Sequence, residues 1–403
     1  MANQTITAPA GFLAAGVHAG IKASGAPDIG ILVCPKGARA AGVFTTNRIT
    51  AAPVQISRRH IRSRKVFAVV VNSGNANACT GNKGLKDAIA MCRMVAGLFG
   101  DGKVRPEQVL VASTGIIGHR LPMDKVRKGI EAAWKGLSPS ADGGLAFARA
   151  IMTTDTKVKQ AMRIVRLAGK NVTIAGAVKG AGMIGPQMAT TLCFLATDAA
   201  ISSNLLAKAL KAAIDQTLNR LTVDGLQSTN DTAFILASGL AMARPITRPD
   251  RAYQRFCDAL FEVCQDLVMQ MGLDAEGATR MFKVVVCGAA TKAEARRAAR
   301  AVADYPLVKC AVHGGDPNWG RIICAVGSSG VRLDPTRLSC RLDQIYVFRN
   351  GRPCRFDRKA ASAIIQRPFH TITVLLGVGK QSEFCYGVDL SKDYVRINAE
   401  YHT

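Results

Sequence analysis

Short runs rich in Val and Ile alternate along the chain with longer stretches in which apolar residues recur every three or four positions. The short runs, each bounded by turn residues, predict strands over 31–34, 42–45, 66–71, 109–112, 172–178, 191–196, 282–287, 322–326 and 372–376. The longer stretches predict helices over 85–99, 123–135, 204–218, 253–271 and 292–303. Gly100 stands where the first of these helices needs a C-terminal cap, and Pro122 precedes the second. The most polar connections are 136–144 and 244–251, both too short to be disordered tethers. The elements follow no regular strand–helix–strand rhythm. The pattern therefore predicts an α/β chain of α+β layers rather than a doubly wound sheet.

Composition narrows the class. A chain of 403 residues, 48% apolar and 20% charged, buries a sizeable core and is not disordered. No apolar run approaches the roughly 20 residues that span a bilayer. The first twenty residues lack the charged and apolar regions of a signal peptide. The twelve cysteines form no CxxC pair and no zinc-like cluster with His. Cys34, Cys193, Cys287 and Cys324 lie inside apolar runs, as small hydrophobes do. These features lead us to expect a cytoplasmic protein without a membrane partner or a metal.

Charge complicates this picture. Lys and Arg number 53 against 28 Asp and Glu, a net charge of +25. Residues 1–189 carry 26 basic and 8 acidic side chains, net +18, and residues 190–403 carry 27 and 20, net +7. The densest basic stretches are 58–65 and 349–359. No run of five basic residues occurs, and aromatic residues make up only 5%, thin for stacking on bases. The charge reads as a solvated basic surface rather than a nucleic-acid site.

Two segments carry candidate chemistry once a near miss is set aside. Residues 97–103 have the glycine spacing and lysine of a P-loop, but Val104 stands where a magnesium-binding hydroxyl belongs, and the segment follows a helix. It reads as a helix end. Lys179-Gly-Ala-Gly-Met-Ile-Gly-Pro-Gln-Met-Ala-Thr190 joins two strand runs through a glycine-rich turn. A plain β-branched residue at a strand start is one reading of Thr190. The other is self-cleavage, in which the Thr190 hydroxyl attacks the Ala189 carbonyl and the resulting ester is hydrolysed. The new α-amine, with a pKa near 7.7–8.0, then serves as base for its own hydroxyl. In the second segment, 111–118, Thr114 and Gly115 lie at a strand end running into a turn, where a hydroxyl and a backbone N–H suit an oxyanion. An ordinary strand-to-turn transition is the alternative.

Several stretches resemble one family together. They include Gly42-Val-Phe-Thr-Thr-Asn47, Val71-Asn-Ser-Gly-Asn-Ala-Asn-Ala78, Ser113-Thr-Gly-Ile-Ile-Gly118 and Met152-Thr-Thr-Asp-Thr156. Further along come Thr222-Val-Asp-Gly225, Ser228-Thr-Asn-Asp231, Gly314-Gly-Asp-Pro-Asn-Trp-Gly-Arg321 and Asn398-Ala-Glu-Tyr-His-Thr403. Over essentially the whole chain the sequence resembles the ornithine acetyltransferase (ArgJ) family of arginine biosynthesis. The resemblance implies an α/β sandwich like that of DmpA and ornithine acetyltransferase. It implies a precursor cut between Ala189 and Thr190 into an α chain, 1–189, and a β chain, 190–403, assembled as α2β2.

The same resemblance assigns roles. Thr190 is the nucleophile, and Thr114 with Gly115 forms the oxyanion hole. Thr153, Lys179, Thr190, Glu276, Asn398 and Thr403 bind substrate, with Thr154 and Thr156 close enough to compete with Thr153. Acetyl passes from N2-acetylornithine through acetyl-Thr190 to L-glutamate, with no cofactor. Lys179 suits the α-carboxylate that both substrates carry, while Glu276 serves either the cationic side chain of ornithine or the orientation of the α-amine, an alternative that stays open, as does acetyl-CoA as a second donor. Gln187 departs from the family's usual Asn near the cut, and His402 from its usual small or basic residue. Two rival classes remain: a Thr-nucleophile amidase or aminopeptidase of the same fold, and a basic nucleic-acid-binding protein.

Overall fold

The computed structural model describes residues 3–100, 102–185 and 191–400. The strands along the chain are β1 (Leu13–Val17), β2 (Ile29–Phe44), β3 (Val66–Asn75), β4 (Val109–Ile116), β5 (Lys159–Leu167), β6 (Lys170–Lys179), β7 (Leu192–Thr197), β8 (Leu221–Thr222), β9 (Thr232–Ala237), β10 (Met281–Ala289), β11 (Ser339–Leu342), β12 (Ile345–Arg349), β13 (Arg352–Pro353), β14 (Phe369–Leu375) and β15 (Gln381–Val388). The α-helices are α1 (Ala52–His60), α2 (Gly81–Leu98), α3 (Met123–Lys135), α4 (Ala141–Ala150), α5 (Ser203–Gln216), α6 (Arg251–Leu273), α7 (Lys292–Asp304), α8 (Pro306–Gly314), α9 (Trp319–Gly327), α10 (Arg358–Ile365) and α11 (Lys392–Glu400). They build two mixed sheets. One runs β4-β3-β2-β9-β7-β6-β5, with β1 on β2, and the other runs β13-β12-β11-β14-β10-β15-β8.

The middle strands of the first sheet are buried on both faces, which is why they read as unbroken apolar runs. In β7, Cys193 and Leu195 face α5 and α6, while Leu192, Phe194 and Ala196 face the opposite core. There the Phe194 ring meets Phe147 of α4 edge-on at 5.2 Å. Helices α1 to α3 pack over β2, β3 and β4. Helix α7 covers β10 and β15 of the second sheet. The apolar face of α6 shares a core with β6 on one side and with Met281, Tyr386 and Val388 of the second sheet on the other.

Three expectations change. The runs 31–34 and 42–45 belong to one strand, β2. Its first half pairs with β3, its register slips between Val33 and Ala38, and its second half pairs with β9. The run 322–326 is not a strand but the middle of α9. Asn318 accepts the Arg321 N–H at the start of that helix, and Ile322, Ala325 and Val326 bury one helical face. Half of the polar connection 136–144 is also helical, because the Ser140 side chain accepts the Gly143 N–H and starts α4. Residues 97 and 98 end α2, Phe99 caps it, and Gly100 follows at φ +73°.

Strands β6 and β7 are antiparallel neighbours, with Lys179 opposite Leu192. The connection between them, 180–191, is the glycine-rich segment. The stretches 1–189 and 190–403 share the first sheet, since β7 and β9 lie between β2 and β6. No helix among the described residues is long and apolar enough to cross a membrane, and all twelve cysteines are free thiols.

Candidate active site

Thr114, Gly115, Thr153, Lys179, Glu276 and Asn398 line one cavity, though they come from positions 114 to 398 of the chain. Thr114 and Gly115 reach it because β4 runs parallel to β3 and ends there, with Gly115 beside Gly74. Gly115 has φ +129°, and a Cβ on it would lie 2.3 Å from the Gly74 carbonyl carbon. Only glycine permits that approach. Ala189, Thr190 and Thr403 lie outside the described residues, as do Gln187 and His402.

Lys179, the last residue of β6, is 2% exposed. Its ammonium donates to the Thr114 hydroxyl oxygen at 3.2 Å. That oxygen then acts as acceptor, leaving the hydroxyl proton for a third partner. Burial pushes the Lys179 pKa down; Asp155 pulls it back up, Lys159 adds to the fall, and Asp231 and Glu276 oppose it.

Asp155 organises this wall. One of its oxygens takes the Gly180 N–H at 2.8 Å and the Lys159 ammonium at 2.6 Å, and the other takes the Thr153 N–H at 2.9 Å. Burial raises its pKa, but Lys179 and Lys159, with the hydrogen bonds from Lys159 and Thr153, outweigh burial and hold it at about 2. Lys159 also pairs with Asp274 at 2.5 Å. Asp274 accepts from both the backbone and the hydroxyl of Thr156, which turns Thr156 away from the cavity. Thr153 and Thr154 both line it.

Glu276 comes from the loop after α6, where its N–H donates to the Ala181 carbonyl at 3.0 Å. Its carboxylate lies over Gly182, where a Cβ would be 2.2 Å from Oε2. The same oxygen accepts the Asn398 amide at 2.9 Å, which ties α11 to the cavity rim. The site therefore holds a buried cation at its wall and a carboxylate at its rim. That charge pattern complements an amino acid presenting a carboxylate inward and a cation outward.

The ArgJ family model matches residues 13–403. The chain belongs to the ArgJ family. It is 47% identical to the "Arginine biosynthesis bifunctional protein ArgJ" of Symbiobacterium thermophilum over 99% of this chain and 98% of that protein. The protein of that name from Synechococcus is 44% identical over 99% of this chain and 97% of its own. A crystal structure of the ArgJ protein from Bacillus halodurans is 40% identical, with a TM-score of 0.50, and covers 52% of this chain and 98% of that one.

Two of the stretches that resemble the ArgJ family, 152–156 and 228–231, each carry a buried acid. In 152–156 the acid is Asp155, which pairs with Lys159 and holds the Gly180 N–H next to Lys179. In 228–231 it is Asp231, which is fully buried and accepts the Thr191 N–H at 2.7 Å. Burial pushes its pKa well up, against the Thr191 hydrogen bond and the charge of Lys179. Neighbouring Asn230 donates to the carbonyls of Ala76 at 2.6 Å and Ser113 at 2.9 Å, fixing this loop to the strand end that carries Thr114. Asn230 and Asp231 stand in a fully polar stretch, Ser228 to Thr232, at the entry of an otherwise apolar strand.

Proposed function

We propose that this chain is an N-acetyltransferase of arginine biosynthesis that moves acetyl from N2-acetylornithine to L-glutamate, using a nucleophile it makes by cutting itself at Ala189–Thr190. The Thr190 oxygen bonds to the Ala189 carbonyl carbon, the peptide C–N bond breaks, and the hydroxyl proton passes to the freed amine. Water then splits the ester into the Ala189 carboxylate and a Thr190 that carries both hydroxyl and amine. In turnover the amine takes the hydroxyl proton while Thr190 attacks the acetyl group. Thr114 O–H and Gly115 N–H face the developing oxyanion, and the Lys179 ammonium strengthens Thr114 as donor. Ornithine leaves with the proton, and glutamate's amine takes the acetyl from Thr190.

The observation that carries this reading is the convergence of Thr114, Gly115, Thr153, Lys179, Glu276 and Asn398 on one cavity. Lys179 pairs with the α-carboxylate that both substrates carry, and Glu276 serves the cationic side chain of ornithine. The half-length Bacillus halodurans chain supports a cut near the middle. The name bifunctional, borne by the relatives, supports acetyl-CoA as a second donor. Every step is an acyl exchange among protein and substrate groups, so the mechanism calls on no cofactor. We place the enzyme in the cytoplasm, where its free thiols stay reduced, as an α2β2 assembly of the cut pieces.

Denaturing mass spectrometry of the purified protein tests the reading. Two pieces meeting at 189/190 are expected, with acetyl appearing on the piece that begins at Thr190 after incubation with N2-acetylornithine. Thr190→Ala should stay whole and inactive. An uncut 42.7 kDa chain that still transfers acetyl overturns the mechanism. Acetate release without glutamate points to the amidase instead.

A further inference from the structure

The five residues around the proposed cut, 186–190, have described neighbours on both sides, 183–185 before and Thr191 after. One short segment, 222–232, holds both. Before the cut, the Ile184 carbonyl accepts the N–H groups of Val223 at 2.7 Å, Asp224 at 3.2 Å and Gly225 at 3.3 Å. Asp224 Oδ2 accepts the Met183 N–H at 2.6 Å and the Tyr394 hydroxyl at 3.3 Å, and its Oδ1 accepts the Leu226 N–H at 3.2 Å. Met183 stands at φ +53°, an uncommon conformation for a residue with a side chain. Gly185 lies so close to Gly225 that a Cβ on it would be 2.5 Å from the Gly225 carbonyl carbon. After the cut, Thr191 gives its N–H to Asp231 Oδ1 at 2.7 Å and takes the Thr232 N–H on its carbonyl at 3.0 Å.

The segment that makes these contacts is itself fixed at both ends. It leaves β8, paired with β15 in the second sheet, and enters β9 at the centre of the first. Between them, the Ser228 carbonyl accepts the Thr45 hydroxyl at 2.8 Å, and Asn230 holds Ala76 and Ser113.

We infer that 222–232 is a clamp for self-cleavage, in which Asp224 and Gly225 hold the flank before the cut and Asp231 holds the flank after it. The inference rests on the proposed cut at Ala189–Thr190. Fixing both ends of a five-residue segment removes much of the conformational freedom that otherwise separates a hydroxyl from the carbonyl it attacks. The clamp supplies no reagent; the bonds made and broken are those of the cleavage described above. Cleavage leaves the near flank as a free end, of which Met183 goes on lining the cavity. Asp224 and Gly225 do not line it, and they act as positioning residues for maturation.

The test follows cleavage of the full-length protein over time by denaturing mass spectrometry, together with acetyl transfer per cleaved chain. Gly185→Ala and Asp224→Ala should lengthen the cleavage half-time at least about tenfold, while transfer per cleaved chain stays within about threefold of wild type. Asp224→Asn keeps a carbonyl oxygen for the Met183 N–H and should recover most of the cleavage rate. If Gly185→Ala fails to fold, the Asp224 pair decides. Wild-type cleavage rates in the Ala variants overturn the clamp, as does a loss of transfer per cleaved chain in step with the loss of cleavage. A wild-type protein with no cut at 189/190 overturns the reading beneath it as well.

Discussion

Lys179 is withdrawn from water, which pushes its pKa down, while the charges of Asp155, Asp231 and Glu276 act to restore it. Burying a lone charge costs far more than a fold can tolerate, so these acids are as necessary to the site as the lysine. Its contact with Thr114 gives it a role beyond pairing with substrate. Lys179→Met keeps length and apolar stem but removes the charge and the donor. We expect kcat/KM for acetyl transfer to fall by about 10²–10³, the usual cost of weakening an oxyanion donor, while Asp155 keeps Lys159 as its partner. Steady-state kinetics checks this, and an unchanged kcat/KM would remove Lys179 from the site. At this scale family resemblance named Thr114, Gly115, Thr153, Lys179, Glu276 and Asn398, and these line one cavity. It left Asp155 and Asp231 without a task, because a buried acid shows its hydrogen-bond partners only once the chain is folded around it.

Among the elements, long helices and the apolar strands beside the site were readable, since α3 spans the residues its spacing predicts and β6 and β7 lie close to theirs. Helix α9 was not, because Ile322-Ile-Cys-Ala-Val326 is apolar on successive positions and short apolar runs do not distinguish strand from helix. Only the capping Asn318 and the packing partners decide. The pairing of β10 with β14 yields a second prediction. His370 lies opposite Phe282 and stacks on it, with ring centroids 5.8 Å apart and 2% exposure. Burial pushes its pKa down to about 4, against the pull of Asp343 and with a push from Arg280. The unfolded chain therefore binds a proton below about pH 6.5 that the folded one refuses. The stability contributed is complete above that pH and is lost as pH falls towards 4, in all about 3 kcal/mol. His370→Phe keeps the stack and removes the titration. Urea unfolding at pH 7 and pH 4 should show the wild type losing about 3 kcal/mol more than the variant on that descent. Parallel losses would refute the assignment.

For the whole molecule, the order β2-β9-β7-β6 decides what a cut at Ala189–Thr190 does. Strands β9 and β7 come from 190–403, and their neighbours β2 and β6 come from 1–189. Arg39–Phe44 of β2 and 174–179 of β6 make the two seams. Both seams lie within cores that draw apolar side chains from either side of the cut. The pieces are unlike domains, since neither contains a complete first sheet. The pieces carry net charges of +18 and +7, yet the ion pairs of Lys159 with Asp274 and of Arg163 with Glu262 and Asp266 cross between them. Added salt screens these charges and leaves backbone pairing and apolar burial in place. The cut protein should therefore elute from gel filtration as one body at low salt and at 1 M salt, and should unfold in a single transition. Its pieces should separate only in denaturant. Separation on dilution, or two unfolding transitions of which one belongs to a single piece, would show that the shared sheet is not what binds them.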